Sequence, residues 1–314
     1  MNQREIDQKK MASSVMRYDL THARHDRVHC LTPGLFRSLK RGDRKKLKLD
    51  VTYTYGKGES IQFVGPWPLG ADDLRVLQGL VAMAAVSGED GYGIVLRKNP
   101  KSDMGKHLRL RLDLKWDAVE KDAMVVKGSF RNFAHELGYS GKGSGPFKTI
   151  RECIKRLWAV SVIVERDGKQ QGFRILSEYA SDEREGKLLV ALNPRLAEAI
   201  MGERSHARIN MAEVRGLQTD PARLIHQRLC GWIDPGKSSC VELDTLCGYI
   251  WPDEVTNRKT ISKRRQTAQK ALAELSAVGW TVSEYARGKW EIGRPSPSDV
   301  TVDRYRRNGR QVVA

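Results

Sequence analysis

The stretch Asn257–Gly279, NRKTISKRRQTAQKALAELSAVG, holds Arg258, Lys259, Lys263, Arg264, Arg265 and Lys270 in its first half, with no acidic residue before Glu274. That half repels itself unless a polyanion neutralises it. At about 100° per residue, Ile261, Ala268, Ala271, Leu272, Leu275 and Val278 fall on one arc, the pattern of an amphipathic helix with a buried stripe. The opposite arc carries Lys259, Ser262, Lys263, Gln266, Gln269 and Lys270, with Arg258 and Arg265 on one flank. These residue types reach phosphates and base edges from a helix lying in the major groove of DNA. Taken alone, such a run also reads as a solvated charged face; its neighbours in sequence decide between the two.

Signals for catalysis are weaker. Gly231-Trp232-Ile233-Asp234-Pro235-Gly236-Lys237-Ser238 matches the P-loop pattern. A P-loop must follow a strand and open a helix so that its backbone N–H groups cradle phosphate. This stretch follows a helical pattern, Pro235 removes an N–H, and Asp234 sets a negative charge beside the phosphates. A turn between two helices is the expectation. His-x-Arg recurs at His22, His107, His206 and His226, but the His-x-His pair of a rolling-circle nuclease is absent, as is the His-x-x-Arg of a tyrosine recombinase. Tyr305 therefore reads as a tail residue. Carboxylates are not clustered as a two-metal site demands. His22, His25, His29 and Cys30 have poor spacing for a metal. No catalytic residue, metal or cofactor is expected.

The chain has 314 residues, room for two domains, and a formal net charge of +17 that favours a polyanionic partner. No apolar run approaches the roughly 20 residues that span a bilayer, and the N-terminus lacks a signal-type pattern. The five cysteines, Cys30, Cys153, Cys230, Cys240 and Cys247, form no C-x-x-C pair and read as reduced core residues of a cytoplasmic protein.

The elements around the cationic helix give it a context. Pro221–Trp232 and Val241–Trp251 show helical spacing, the first with Asp220 as N-cap and Pro221 in its first turn. After the long helix, Trp280–Tyr285 and Trp290–Ile292 are two short strands around Ala286-Arg287-Gly288. Helix, short helix, long basic helix and hairpin is the order of a winged helix, whose third helix enters the groove and whose wing, here with Arg287 and Lys289, touches the backbone.

Upstream, residues 1–20 read as a flexible leader. Thr21–Lys48 reads as a basic arm able to lie on DNA through Arg37, Lys40, Arg41, Arg44, Lys45 and Lys46, or as a merely solvated segment. Strands are expected at Leu47–Tyr55, Ser60–Val64 and Leu108–Leu114, and a helix at Asp72–Ala85. Ser129 caps a short helix, Phe130–Leu137; Pro146–Trp158 is a long helix with Phe147, Ile150, Ile154 and Leu157 buried. Val160–Glu165 and Gln171–Leu176 form a hairpin through Asp167-Gly168. Lys187–Leu192 is a further strand, and Asn193-Pro194 opens a helix to Met201. This order repeats the C-terminal one, so the expected fold is α+β: two tandem winged-helix domains, 21–204 and 205–294, the first elaborated with extra strands, and a basic tail, 295–314.

The runs LTPGLFRSLKRGDRKK (Leu31–Lys46), PLGADDLRVLQGLVAMA (Pro68–Ala84), DAMVVKGS (Asp122–Ser129), GFRILSEYASDE (Gly172–Glu183), RLCGWIDPGK (Arg228–Lys237) and LDTLCGYIWP (Leu243–Pro252) resemble the RepC-type replication initiators of IncQ-like plasmids. The resemblance spans roughly Thr21–Pro295. It implies an initiator that binds direct repeats, or iterons, in double-stranded origin DNA, promotes opening of adjacent AT-rich DNA, and works with a plasmid-encoded helicase and primase. On that reading Ser262, Gln266, Lys259 and Lys263 read bases, with Gln269 on the same face. Arg258, Arg265 and Lys270 hold phosphates, and Arg287 and Lys289 place the wing. Lys148, Arg151 and Lys155 meet a second groove, with self-association of the first domain as an alternative role. A winged-helix transcriptional repressor is the rival function.

Overall fold

The computed structural model describes residues 18–56, 58–86, 92–100, 103–111, 122–139, 144–182 and 186–296. Most of the expected leader and tail, with Tyr305, lies outside them. The fold is mixed helix and sheet. Packing begins before Thr21: Leu20 is buried, and the Asp19 and Leu20 amides donate to the Glu136 carboxylate at 3.0 and 2.9 Å.

The segment expected as a basic arm starts inside the core instead. His22–Asp26 is strand β1 and Arg27–Leu31 is helix α1, capped by the Asp26 carboxylate on the Val28 and His29 amides. His25, His29, Leu35 and Phe36 are buried. Burial holds His25 and His29 neutral, His29 down at about 3, and the His29 ring packs edge-on against Phe63 at 5.1 Å. Only the next stretch stays at the surface: Lys40, Arg41, Lys45, Lys46 and Lys48 are exposed around the short helix α2, Asp43–Lys46.

Strands β2 (Leu49–Tyr55) and β3 (Glu59–Gly65) form the expected hairpin. Helix α3 (Ala71–Ala85) follows, buried along nearly its whole length, its polar Asp73, Arg75 and Gln78 included. Gly79 lets Phe133 and Leu137 lie against it; a Cβ there would stand 2.5 Å from Leu137 Cδ2. After β4 (Gly93–Leu96) comes a correction. The alternating leucines were expected as a strand, but Asp103–Arg111 is helix α4, and Leu112–Leu114 lies outside the described residues. The stretch contains no β-branched residue, and Leu, Lys and Arg are strong helix formers, so propensity overrides the alternation.

Strand β5 (Ala123–Ser129) leads into α5 (Phe130–Glu136), with Ser129 accepting from the Asn132 amide as its cap, and then α6 (Ser144–Trp158). The hairpin β6 (Ser161–Arg166) and β7 (Lys169–Arg174) turns at Asp167-Gly168 with positive φ at both, as expected. It pairs with β3, giving a sheet ordered β2-β3-β6-β7. Strands β8 (Leu176–Asp182) and β9 (Lys187–Leu192) complete a second sheet, β4-β5-β9-β8. Helix α7 (Pro194–Met201) is capped by Asn193, with Pro194 in its first turn.

Strand β10 (His206–Asn210) pairs antiparallel with β1 and runs into α8 (Met211–Gly216), capped by Asn210. Next come α9 (Asp220–Trp232), β11 (Ser238–Glu242), α10 (Leu243–Ile250), α11 (Arg258–Ala277), β12 (Thr281–Ala286) and β13 (Lys289–Gly293). Thr219, not Asp220, caps α9 by accepting from the Ala222 amide. Strand β11 replaces the first turn of the helix expected from Val241 and joins the hairpin as β11-β13-β12. The P-loop look-alike therefore runs from the end of α9 through a turn into a strand. One buried cluster extends from Leu20 to Ile292, through both halves of the chain.

Candidate nucleic-acid interface

Helix α11 starts because the Asn257 side chain accepts from the Lys259 and Thr260 amides at 2.9 and 3.3 Å. It ends in a Schellman turn: Gly279 takes φ +100°, its amide donates to Ser276 O, and the Trp280 amide donates to Leu275 O, both at 3.1 Å. Ala268, Ala271, Leu272 and Leu275 are buried against α9 and α10, while Ile261 and Val278 at the stripe's ends are half-buried. The other side is open: Arg258, Lys259, Ser262, Lys263, Arg265, Gln266, Gln269 and Lys270 are all exposed.

Two arginines on this helix do further work within the protein. Arg265 grips Asp244 of α10 in a two-pronged pair, Nε to Oδ1 at 2.6 Å and Nη2 to Oδ2 at 2.5 Å, which holds the Asp244 carboxyl below its usual range. Arg264 lies over the Trp251 ring, 5.3 Å from its centroid, and donates to Asp253 O at 2.9 Å, bracing the connection into α11.

The ribbon after α11 is fixed at both ends. Trp280 is buried and its indole Nε1 donates to Glu213 Oε2 at 2.9 Å, the same oxygen that lies 2.7 Å from His226 Nε2. Beyond β13, the Arg294 guanidinium donates to the Cys230 and Ile233 carbonyls at 2.9 and 2.8 Å and to Arg208 O. At the ribbon's tip Arg287 is exposed in the turn and Gly288 takes φ +73°. The Leu243 amide donates to Gly288 O at 2.9 Å, setting the tip beside the start of α10. Lys289, also exposed, lies 3.8 Å from Glu242.

Glu213, His226 and Cys230 place three ligand-type atoms within 4.8 Å of one another, and all three residues are buried. The Glu213 oxygen and the imidazole already bond to each other, and the indole N–H donates to the same carboxylate, so the trio serves as a buried ion pair. Burial works against charge on His226, but the Cys230 sulfur and the Glu213 carboxylate outweigh it and raise the imidazole to about 10. Burial likewise opposes ionisation of Glu213, and the hydrogen bond from His226 holds it below its usual range.

In the first half, α6 exposes Lys148 and Lys155. Arg151 is half-buried, its guanidinium 4.7 Å over the Phe130 ring. Ile150, Cys153, Ile154 and Leu157 form the buried seam, with Phe147 at its edge. The structure thus puts eight of the C-terminal candidates on the exposed side of α11, Arg287 and Lys289 at the ribbon's tip beside the start of α10, and Lys148, Arg151 and Lys155 on a separate helix. Tyr285, on the bulge of β12 next to the ribbon's tip, is 56% exposed.

Residues 17–296 match the model of the family described as Replication protein C (RepC), and the chain belongs to that family. Its role is that of a replication initiator. No curated protein matches it. In fold it is similar to the crystal structure of RctB domains 2-3, with a TM-score of 0.51 and 11% identity over 85% of this chain and 97% of that one. The Pi initiator protein in complex with iteron DNA is matched at a TM-score of 0.40 and 17% identity, over 54% of this chain and 79% of that one. Among the described residues no helix is long and apolar enough to cross a membrane.

Proposed function

We propose that the chain initiates replication by binding direct repeats at its origin through two tandem winged helices, 21–204 and 205–294, without catalysing a reaction itself. The observation that carries this is α11: one side sealed by Ala268, Ala271, Leu272 and Leu275, the other an exposed array of Lys, Arg, Gln and Ser. Membership of the RepC family supports the origin as the target. Short helix, long helix and hairpin succeed one another in both halves, as α5-α6-β6-β7 and α10-α11-β12-β13, which supports the tandem reading. The halves differ in what the hairpin joins, β3 in the first and β11 in the second.

Ser262, Gln266, Lys259 and Lys263 read bases; Arg258, Arg265, Lys270 and Gln269 contact the backbone or the groove edge; Arg287 and Lys289 place the wing. Lys148, Arg151 and Lys155 enter a second groove. Several protomers on adjacent repeats then strain the neighbouring AT-rich DNA, and a helicase and primase load there. Nothing in this role requires a cofactor.

Gel shift on a fragment of tandem repeats tests it. An initiator gives a ladder of complexes and a footprint at repeat spacing, with neighbouring DNA reactive to single-strand probes. A single band on an inverted repeat points to a repressor, and nicking of supercoiled origin DNA in magnesium points to an enzyme.

A further inference from the structure

The surface stretch from Arg37 to Lys48 has a charge density that the two long helices do not account for. It is anchored at two places. Toward the C-terminal half, the Ser38 amide donates to Ile250 O at 2.9 Å and Arg37 pairs with Asp253, the residue whose carbonyl also accepts from Arg264 of α11. Toward the N-terminal half, Arg44 pairs with the fully buried Asp73 at 3.0 Å, and the same carboxylate takes Arg156 of α6 at 2.8 Å. The stretch therefore bridges the connection leading into α11 and the helix that carries Lys148 and Lys155.

Beneath it, α3 packs on both α6 and α9, and α9 packs on α11. The stretch lies over the starts of α3 and α9, where a recess of about 400 Å³ is lined by Lys40, Arg41, Arg44, Lys45, Gly70, Asp72 and Asp220 among others. The two carboxylates there have partners of their own: Tyr139 Oη donates to Asp72 at 3.3 Å, and Arg223 lies 3.5 Å from Asp220. Both also sit in the first turns of helices, where the backbone dipole offsets their charge.

The rim, by contrast, is unneutralised. Lys40, Arg41, Lys45 and Lys46 are exposed, and their side chains make no ion pair among the described residues. The shape that presents them is built in. Gly42 takes φ +97° between them, and the Asp43 carboxylate accepts from the Lys40 amide at 2.7 Å. A short stretch pinned at both ends, with four free cations projecting from its crown, is preorganised for a row of phosphates.

We propose that this cationic bridge, Lys40, Arg41, Lys45 and Lys46, holds the DNA backbone that runs between the two groove-bound helices, and so couples the two halves of the protein on one repeat. The inference rests on the proposed docking of α11 and α6 and adds a third contact that is blind to sequence. Because the bridge is anchored to both halves, the phosphates it grips fix the spacing between the two grooves.

The test uses the full-length protein and a duplex that it selects from a random-sequence pool. A variant with Lys40, Arg41, Lys45 and Lys46 all changed to Gln should bind that duplex roughly tenfold or more weakly at physiological salt. The slope of log K against log salt should fall by about three to four, since each phosphate neutralised contributes about 0.9. Its base preference should be unchanged. Ethylation of phosphates midway between the two protected grooves should block the native protein and be tolerated by the variant. An S262A/Q266A variant serves as the comparison. If it loses sequence preference while the bridge variant keeps native affinity and slope, the bridge proposal is overturned and the α11 reading stands. If the S262A/Q266A variant keeps native preference, the α11 reading fails. Native DNA binding by the bridge variant with lost origin opening overturns the proposal in favour of an acidic protein partner. A second variant, K45Q/K46Q, confined to α2, should show about half the change in slope.

Discussion

Arg24 of β1 stands directly opposite Arg208 of β10, and each is the third residue of the same tripeptide, His22-Ala23-Arg24 and His206-Ala207-Arg208. The antiparallel register is symmetric about that pair: Ala23 faces Ile209 and His25 faces Ala207, all four buried, while both arginines point outward. Each strand then runs into a short helix capped by its own last residue, Asp26 or Asn210, through the amide two positions on. The two halves are thus joined by a strand pair between corresponding pieces of each.

Because this pair and the buried cluster cross the middle of the chain, the halves should melt together. Calorimetry of the full-length protein is expected to show one transition, with Ile209→Ala costing roughly 2–4 kcal/mol and leaving the transition single. Two resolved transitions would show that β1–β10 does not couple them.

The Glu213–His226 pair gives a pH dependence with a definite sign. His226 is raised from 6.5 to about 10 in the folded state, so its contribution is complete below pH 6.5 and is lost as pH rises from there toward 10. Glu213 is lowered, so its contribution is present above its ordinary value and is lost as pH falls through its folded one. His226→Gln should cost about 3 kcal/mol, the range for breaking a buried pair, and remove most of the alkaline decline in stability between pH 7 and 10. Denaturant titrations across that range check it; an unchanged decline in the variant contradicts it.

Arg265 is both exposed and held by Asp244. An exposed pair contributes about 1 kcal/mol or less, so Asp244→Ala should leave stability nearly unchanged. It should strengthen binding to every duplex alike by removing a negative charge beside the cationic face. Fluorescence anisotropy on a selected duplex and a scrambled one, over a salt series, reads both. Weaker binding by the variant would show that Asp244 instead aims Arg265 at a phosphate.

Base reading and phosphate holding separate by their specificity. Gln266→Ala should cost about 1–3 kcal/mol on the selected duplex and relax preference at one position. Lys270→Ala should weaken all sequences equally and lower the salt slope by about one. Selection repeated with each variant distinguishes the two patterns.

Helix α11 was legible because its signal is local: a period near 3.6, a capping Asn257 and a terminating Gly279 all act within one stretch. Strand β11 was not. Of Ser238 to Glu242 only Val241 is buried, and the segment is a strand because β13 pairs with it across some fifty residues of chain, which no local pattern records. The Arg265–Asp244 and Arg44–Asp73–Arg156 pairs are hidden for the same reason. The charges are plain in the sequence, but which arginines stay free for a ligand depends on distant partners. At Leu108–Arg111, the described part of the expected strand Leu108–Leu114, alternation pointed to a strand and side-chain type to a helix, and the second prevailed.

The most direct measurement places a cleavage reagent on the cationic face. A chelated iron attached at position 266 in a Gln266→Cys variant, with the exposed Cys240 changed to Ser, should cut DNA within each protected repeat, at one constant position from repeat to repeat. Protection of the repeats without cutting, or cutting scattered outside them, would mean that α11 does not sit in the groove.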